Sequence, residues 1–247
     1  DGTLLDGDGN IPSQLWPLLE TMRDRAIAFV PASGRQCTTL STMFGSHLQG
    51  MPIIAENGTY VVRDGVDISS STIDPNLTRE VITGVRQLRN DGHDVGLVVA
   101  TKSIAYLERG DDPFVSHVAT YYHSHRIVKD LSEHTDDVIK LSIYDFREAS
   151  EATYPTMQRT APEHQVILAT PNWVDIMNPG VNKGSAVEAV QRDLGVTADQ
   201  TAIFGDFLND LEMMPMAKWS FAMANGHPNI VKASNYVAPP NTENGVI

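Results

Sequence analysis

"FGDFLND", residues 204–210, follows directly on Thr201, Ala202 and Ile203. Apolar residues in a continuous run, rather than in alternation, read as a strand buried on both faces. Asp206 then falls at the carboxyl end of that strand, with Asn209 and Asp210 in the next helical turn. Ligands of parallel sheets collect at the carboxyl ends of strands. The stretch therefore raises two questions: whether a parallel sheet surrounds it, and which other polar residues reach the same ends.

Outward from it, "WSFAMAN" (219–225) is a second run of the same kind, and Val187, Val190 and Leu194 form a helix stripe closed by Gly195. Towards the other terminus, "AIAFVPAS" (26–33) and "MPIIAENG" (51–58) read as further buried strands, the latter ending in an Asn-Gly turn. Leu15, Leu18, Leu19 and Met22 have helical spacing, with Ser13 near the start. Strands alternating with helices imply a parallel sheet covered on both faces. Its strand ends carry Ser33, Gly34 and Arg35 of "PASGR", and Asp1 stands where a first strand should end. "GVNKG" puts Lys183 at a helix start. A cation there opposes the helix macrodipole and costs stability unless an anion sits beside it.

Composition narrows the chemistry. The 247 residues carry a net charge of −13, which disfavours nonspecific binding to nucleic acid. No apolar run approaches a membrane span, and no signal-peptide pattern appears. A single cysteine, Cys37, rules out an internal disulfide framework and fits a reducing cytoplasm. An acidic protein that binds a small anion must concentrate positive charge locally. Carboxylates without histidine or cysteine suit a hard cation such as Mg²⁺. A serine, a lysine and backbone N–H groups can cradle phosphate oxygens.

Four motifs, "DGTLLD" at Asp1, "PASGR" at Ser33, "GVNKG" at Lys183 and "GDFLND" at Asp206, stand in the order found in the haloacid dehalogenase superfamily. The chain resembles its Cof-type, class IIB capped sugar-phosphate phosphatases, and "AENGTYV" around Asn57 and "NYVAPPNTENGV" near the end are similar too. The resemblance implies a Rossmann-like parallel core with an inserted cap, and hydrolysis of phosphate monoesters, sugar phosphates first, through an aspartyl-phosphate. It implies that Asp1 is the general acid/base and that its backbone carbonyl is a metal ligand. Asp206 becomes a direct Mg²⁺ ligand and Asp210 the holder of a metal-bound water. Ser33, Gly34 and Lys183 become binders of the transferring phosphoryl group, with Asn209 orienting Lys183 or the phosphate. It places the nucleophilic aspartate two residues before Asp1, outside this sequence, so an apolar strand closing on Asp-x-Asp1 is expected upstream. Two other readings stand beside this one. The chain could lack the nucleophile and only bind a phosphorylated ligand. Alternatively, Asp1 could itself attack, with Thr3 in the second position, although Gly-Thr-Leu-Leu follows the second aspartate in this family. A phosphomannomutase-like phosphotransferase shares the same core and cap type.

The sequence reading divides the chain into core residues 1–73, cap residues 74–177 and core residues 178–247. In the cap, Leu77, Val81, Val85 and Leu88 form a helix, "DVGLVVAT" and "DVIKLSIYDF" are strands, and "QVILAT" and "WVDIM" are a closing pair. His123 and His125 are expected to share a strand face, as a metal pair or as an exposed face of the cap sheet. Cys37 and the methionines at 213, 214 and 216 read as packing, and Asp6 and Asp8 as solvated loop residues. Arg35 is expected to contact substrate or to pair with a cap carboxylate. The expected partner is a small phosphorylated metabolite, not nucleic acid or membrane.

Overall fold

A computed structural model describes residues 1–247. The helices in chain order are α1 (Leu15–Asp24), α2 (Cys37–Phe44), α3 (Pro75–Asn90), α4 (Asp112–Ala119), α5 (Thr153–Thr160), α6 (Lys183–Leu194) and α7 (Pro228–Ala233). The strands are β1 (Pro52–Ala55), β2 (Tyr60–Arg63), β3 (Val66–Ser70), β4 (Val95–Thr101), β5 (Ala105–Leu107) and β6 (His125–Ile127). They continue as β7 (Val138–Asp145), β8 (Gln165–Leu168), β9 (Trp173–Met177), β10 (Ala202–Gly205), β11 (Trp219–Met223) and β12 (Tyr236–Ala238). The chain forms two compact units. One comprises Asp1–Ala32, Phe44–Ser69 and Asn182–Ile247; the other comprises Ser33–Met43 and Ser70–Val181. No helix is long and apolar enough to cross a membrane.

In the first unit, β10, β11 and β12 run parallel, with Ala202 opposite Trp219 and Phe221 opposite Tyr236. β1 pairs antiparallel with β2, and β3 extends that sheet. α6 begins where the Asn182 side chain accepts from the Ser185 N–H while the Ser185 hydroxyl accepts from the Asn182 N–H, a reciprocal cap. It ends at Gly195, whose φ of 66° is the left-handed conformation that closes helices. Val187 and Val190 of α6 pack with Ile54, Val61, Ile203, Met213, Met214 and Ala222 to make this unit's core.

The expected strand over residues 26–33 does not form. Ile54 N–H donates to the Pro31 carbonyl at 2.9 Å, and Ala32 makes a single parallel bridge to Ile54. Ala26 has a φ of 55°, and Pro31 has no N–H to donate, so no ladder develops along the run. Apolar composition predicts burial better than it predicts pairing, and here even burial fails at Ile27, which is 48% exposed.

The second unit is built on a six-stranded sheet in the order β6-β5-β4-β7-β9-β8, antiparallel except for β5 beside β6. One face packs on α3 through Leu77, Val81, Ile82, Val85 and Leu88, and on α5 through Met157. Each such side chain contributes roughly 1.5–3 kcal/mol on burial. Asp74 caps α3 by accepting from Asn76 N–H at 2.7 Å. The opposite face carries Val98, Ala100, Phe114, Val118, Tyr122, Tyr144 and Trp173. All eight residues of β7 are buried, so its alternate side chains enter two different cores. Residues 33–43 are tied to this unit: Gln36 and Thr39 bond the Tyr121 carbonyl, and the Ser124 N–H donates to the Gln36 side chain at 2.9 Å.

The histidine segment departs from expectation. His117 lies on α4, which starts where Asp111 accepts from the Phe114 N–H and Pro113 occupies the first turn. His123 precedes β6, so it shares no strand face with His125, whose Nδ1 lies 2.9 Å from the Tyr122 carbonyl. Cys37 is half-buried at the start of α2 rather than a core residue.

Candidate active site

β10 ends at Gly205 and delivers Asp206 at its carboxyl end, where the sequence reading put it. The short turn Leu208–Asp210 then folds the chain back. Asp210 Oδ2 accepts from the backbone N–H of Asp206 at 2.9 Å and of Phe207 at 3.3 Å. Its Oδ1 accepts from Lys183 Nζ at 2.6 Å. Lys183 and Asp210 are only 5% and 3% exposed. Taking both ions from water costs several kcal/mol each, which only close geometry and further hydrogen bonds offset. Asp210 has both, and it is the anion that a lysine at a helix start requires.

Residues 1–3 form a turn against Asp206. Thr3 Oγ1 donates to Asp206 Oδ1. Asn225 Nδ2 donates to the Gly2 carbonyl at 2.8 Å. Gly2 has a φ of 71°, and a Cβ there would collide with the Asp206 carboxylate, so only glycine fits. Burial pushes the Asp206 carboxyl above the usual range; the Thr3 hydrogen bond opposes the shift, and the nearby Asp210 charge adds to it. Asp206 is thus a carboxylate with too little compensation for its charge.

A third segment completes the arrangement. Glu56, Asn57 and Gly58 have successive φ values of 52°, 58° and 98°. For a non-glycine residue this conformation costs roughly 1–2 kcal/mol. The turn presents Asn57 Oδ1 to Asn209 Nδ2, which donates at 3.1 Å. Gly58 lies so close to the Asn182 carbonyl, one residue before Lys183, that a Cβ would overlap it. The turn therefore backs both Asn209 and the start of α6. The Asn-Gly turn is visible in the sequence but its bond to Asn209 is not, and neither is the contact of Thr3 with Asp206.

The first unit thus brings together the Asp1–Thr3 turn, Lys183, Asp206, Asn209 and Asp210. Ser33 and Gly34 belong to the second unit. There the Arg35 N–H donates to Ser33 Oγ at 3.1 Å, and Arg35 Nη1 donates to the Thr120 carbonyl at 2.8 Å. Asp6 is not merely solvated: its Oδ1 accepts from the N–H groups of Asp8 and Asn10, closing the loop after "DGTLLD".

The donors fit a hard cation. They are oxygens only, and Asp206 is a half-buried carboxylate whose charge a cation would relieve. The side chains do not form a three-ligand cluster of their own. Mg²⁺ does not need one, since it keeps several waters and takes one or two carboxylates together with substrate phosphate.

The family model of the haloacid dehalogenase-like hydrolases matches residues 1–247. The 5-amino-6-(5-phospho-D-ribitylamino)uracil phosphatase YbjI of Escherichia coli is 29% identical over 234 residues, covering 92% of this chain and 83% of its own. The HMP-PP phosphatase of Cronobacter sakazakii is 23% identical over 94% of this chain and 84% of its own. Among solved structures, the HAD subclass IIB sugar phosphatase BT4131 has a similar fold, with a TM-score of 0.80 at 21% identity over 100% of this chain and 93% of that one.

Proposed function

Since the chain belongs to the haloacid dehalogenase-like hydrolases and is a phosphatase, we propose that it hydrolyses small phosphate monoesters, sugar phosphates first, with Mg²⁺ and through an aspartyl-phosphate. The observation that carries this reading is the connected set Thr3–Asp206–Asp210–Lys183, which gathers two carboxylates and a buried ammonium at one strand end. Relatives named for a phosphoribitylaminouracil and for HMP-PP support the broader class of small phosphorylated metabolites.

The attacking carboxylate would come from an aspartate two positions ahead of Asp1. Its oxygen bonds to phosphorus as the ester P–O bond breaks. Asp1, in its acid form, gives its proton to the departing oxygen. Asp1 as carboxylate then takes a proton from water, whose oxygen attacks phosphorus and frees the nucleophile and inorganic phosphate. Lys183 directs its remaining N–H donors and its charge at the phosphoryl oxygens, and the family resemblance gives Ser33 and Gly34 as phosphoryl binders. Asn209, held by Asn57, orients the phosphate. Thr3 fixes the Asp206 rotamer, and Asp210 fixes both Asp206 and Lys183. Asp206 and the Asp1 backbone carbonyl, with Asp210 behind them, would hold Mg²⁺, which when bound would supply positive charge to offset repulsion between carboxylate and phosphoryl group. The inserted residues 74–177 are the proposed cap, the part of such enzymes that reads the leaving group.

The test is a panel of phosphorylated metabolites offered to the full-length protein with Mg²⁺ and with chelator. Release of free phosphate in Mg²⁺ alone is expected. Isomerisation without release favours the phosphotransferase reading, and binding without either favours a ligand-binding protein.

A further inference from the structure

Two charged side chains in the second unit have no part in the chemistry above. Lys140 on β7 and Asp175 on β9 are 3% and 6% exposed. Their closest approach, Lys140 Nζ to Asp175 Oδ2, is 3.9 Å. A strong charge-assisted hydrogen bond is about 2.7–2.9 Å, and a buried pair held so loosely is a poor source of net stability. Apolar residues would pack this strand pair as well, so the reason for the charges lies in their other partners.

Asp175 is fixed from one side. Its Oδ1 accepts from the Ser142 hydroxyl at 2.6 Å, and Ser142 Oγ lies 3.0 Å from the Tyr122 hydroxyl. Lys140 reaches in another direction, and its Nζ donates to the Gly34 carbonyl at 3.1 Å. That carbonyl and the Arg35 N–H are the two ends of one peptide group. The Arg35 N–H donates to Ser33 Oγ at 3.1 Å. An ammonium on the carbonyl oxygen draws electron density through the peptide and makes its N–H a better donor.

We propose that Lys140, steadied by Asp175, is a positioning residue for Ser33. It fixes and polarises the Gly34–Arg35 peptide, whose N–H then occupies one acceptor site on Ser33 Oγ. A serine hydroxyl has one proton to give and two lone pairs to accept with. With its oxygen held as acceptor by the peptide, Ser33 keeps its own proton for a phosphoryl oxygen. The proposal rests on the reading of Ser33 as a phosphoryl ligand.

The experiment is a double-mutant cycle in the full-length phosphatase, with kcat and KM read on one phosphate monoester for Lys140→Met, Ser33→Ala and the double variant. Lys140→Met should lower kcat by about tenfold when Ser33 is present and by less than about twofold in the Ser33→Ala background, because coupled residues are not additive. Lys140→Arg should recover most of the loss. Should Lys140→Met not fold, Lys140→Gln, which keeps a donor without the charge, is read in its place and should show the same dependence on Ser33. An equal loss in both backgrounds, or no loss when Ser33 is present, overturns the proposal. A Ser33→Ala variant with normal kcat and KM instead overturns the phosphoryl-ligand reading beneath it, and the proposal with it.

Discussion

At Asp206 a half-buried carboxylate meets a second negative charge at Asp210, a hydroxyl from Thr3 and the backbone of Gly2. Asp1 precedes Gly2, whose backbone lies against Asp206, and the proposed mechanism makes it the acid/base. Asp1→Asn in the full-length protein should slow turnover of sugar phosphates by about 10²–10⁴, the range usual for a general acid/base. Mg²⁺ binding should survive, since the backbone carbonyl is unchanged. The loss should shrink for an aryl phosphate, whose leaving oxygen needs little protonation, and steady-state rates on the two substrates check this. Lys183→Met makes a different kind of prediction. It leaves Asp210 buried without its counter-charge, which typically costs about 3–5 kcal/mol. Denaturant unfolding should show that loss together with the loss of activity. A Lys183→Met protein of normal stability would contradict the pairing seen in the structure.

Among the elements, the short strands and turns that carry the motifs were legible in the sequence because local chemistry dictates them. Asp206 follows a continuous apolar run, Gly195 closes a regular stripe, and Asp74-Pro75 opens α3. The run Ala26–Ser33 was misread because pairing is a property of neighbours, and it has one bridge only. α4 was passed over although Asp111 and Pro113 are ordinary helix-start signals, because the histidines after it drew the reading to a strand. Thr3 and Asn57 were in plain view as residue types, but their contacts with Asp206 and Asn209 span 203 and 152 positions of sequence, and no local pattern encodes them. Lys140 and Asp175 did leave a signal, since each is a charged residue inside a strand whose residues are all buried. On the helix side of that sheet, Arg86 of α3 is paired with Glu108 and Asp130. The Ser132 hydroxyl and Arg86 hold the Asp130 carboxyl down to about 2. A carboxylate whose folded value is depressed contributes stability above its unfolded value of about 3.9, and that contribution is lost as pH falls towards the folded value. The second unit should therefore lose stability between about pH 4 and pH 2, with a shallow slope because Asp130 is exposed. Asp130→Asn should flatten that limb in thermal melts across the range.

For the whole molecule, composition and motif order were enough to reach an α/β fold of the haloacid dehalogenase type, and the family match over residues 1–247 agrees. The substrate was not legible in any local pattern of the sequence. The central claim is that Asp206 couples Mg²⁺ to phosphoryl transfer. Truncation at a strand end opens no core cavity and removes a carboxylate in an unfavourable setting, so Asp206→Ala should fold with undiminished stability. The most direct measurement is phosphate release by full-length wild type and Asp206→Ala as Mg²⁺ is titrated. The wild type should be activated by Mg²⁺ and silenced by chelator, while Asp206→Ala should stay about 10³-fold or more below it, the several kcal/mol that a catalytic metal supplies to the barrier. An Asp206→Ala protein that reaches the wild-type rate at the same Mg²⁺ concentration would contradict the account.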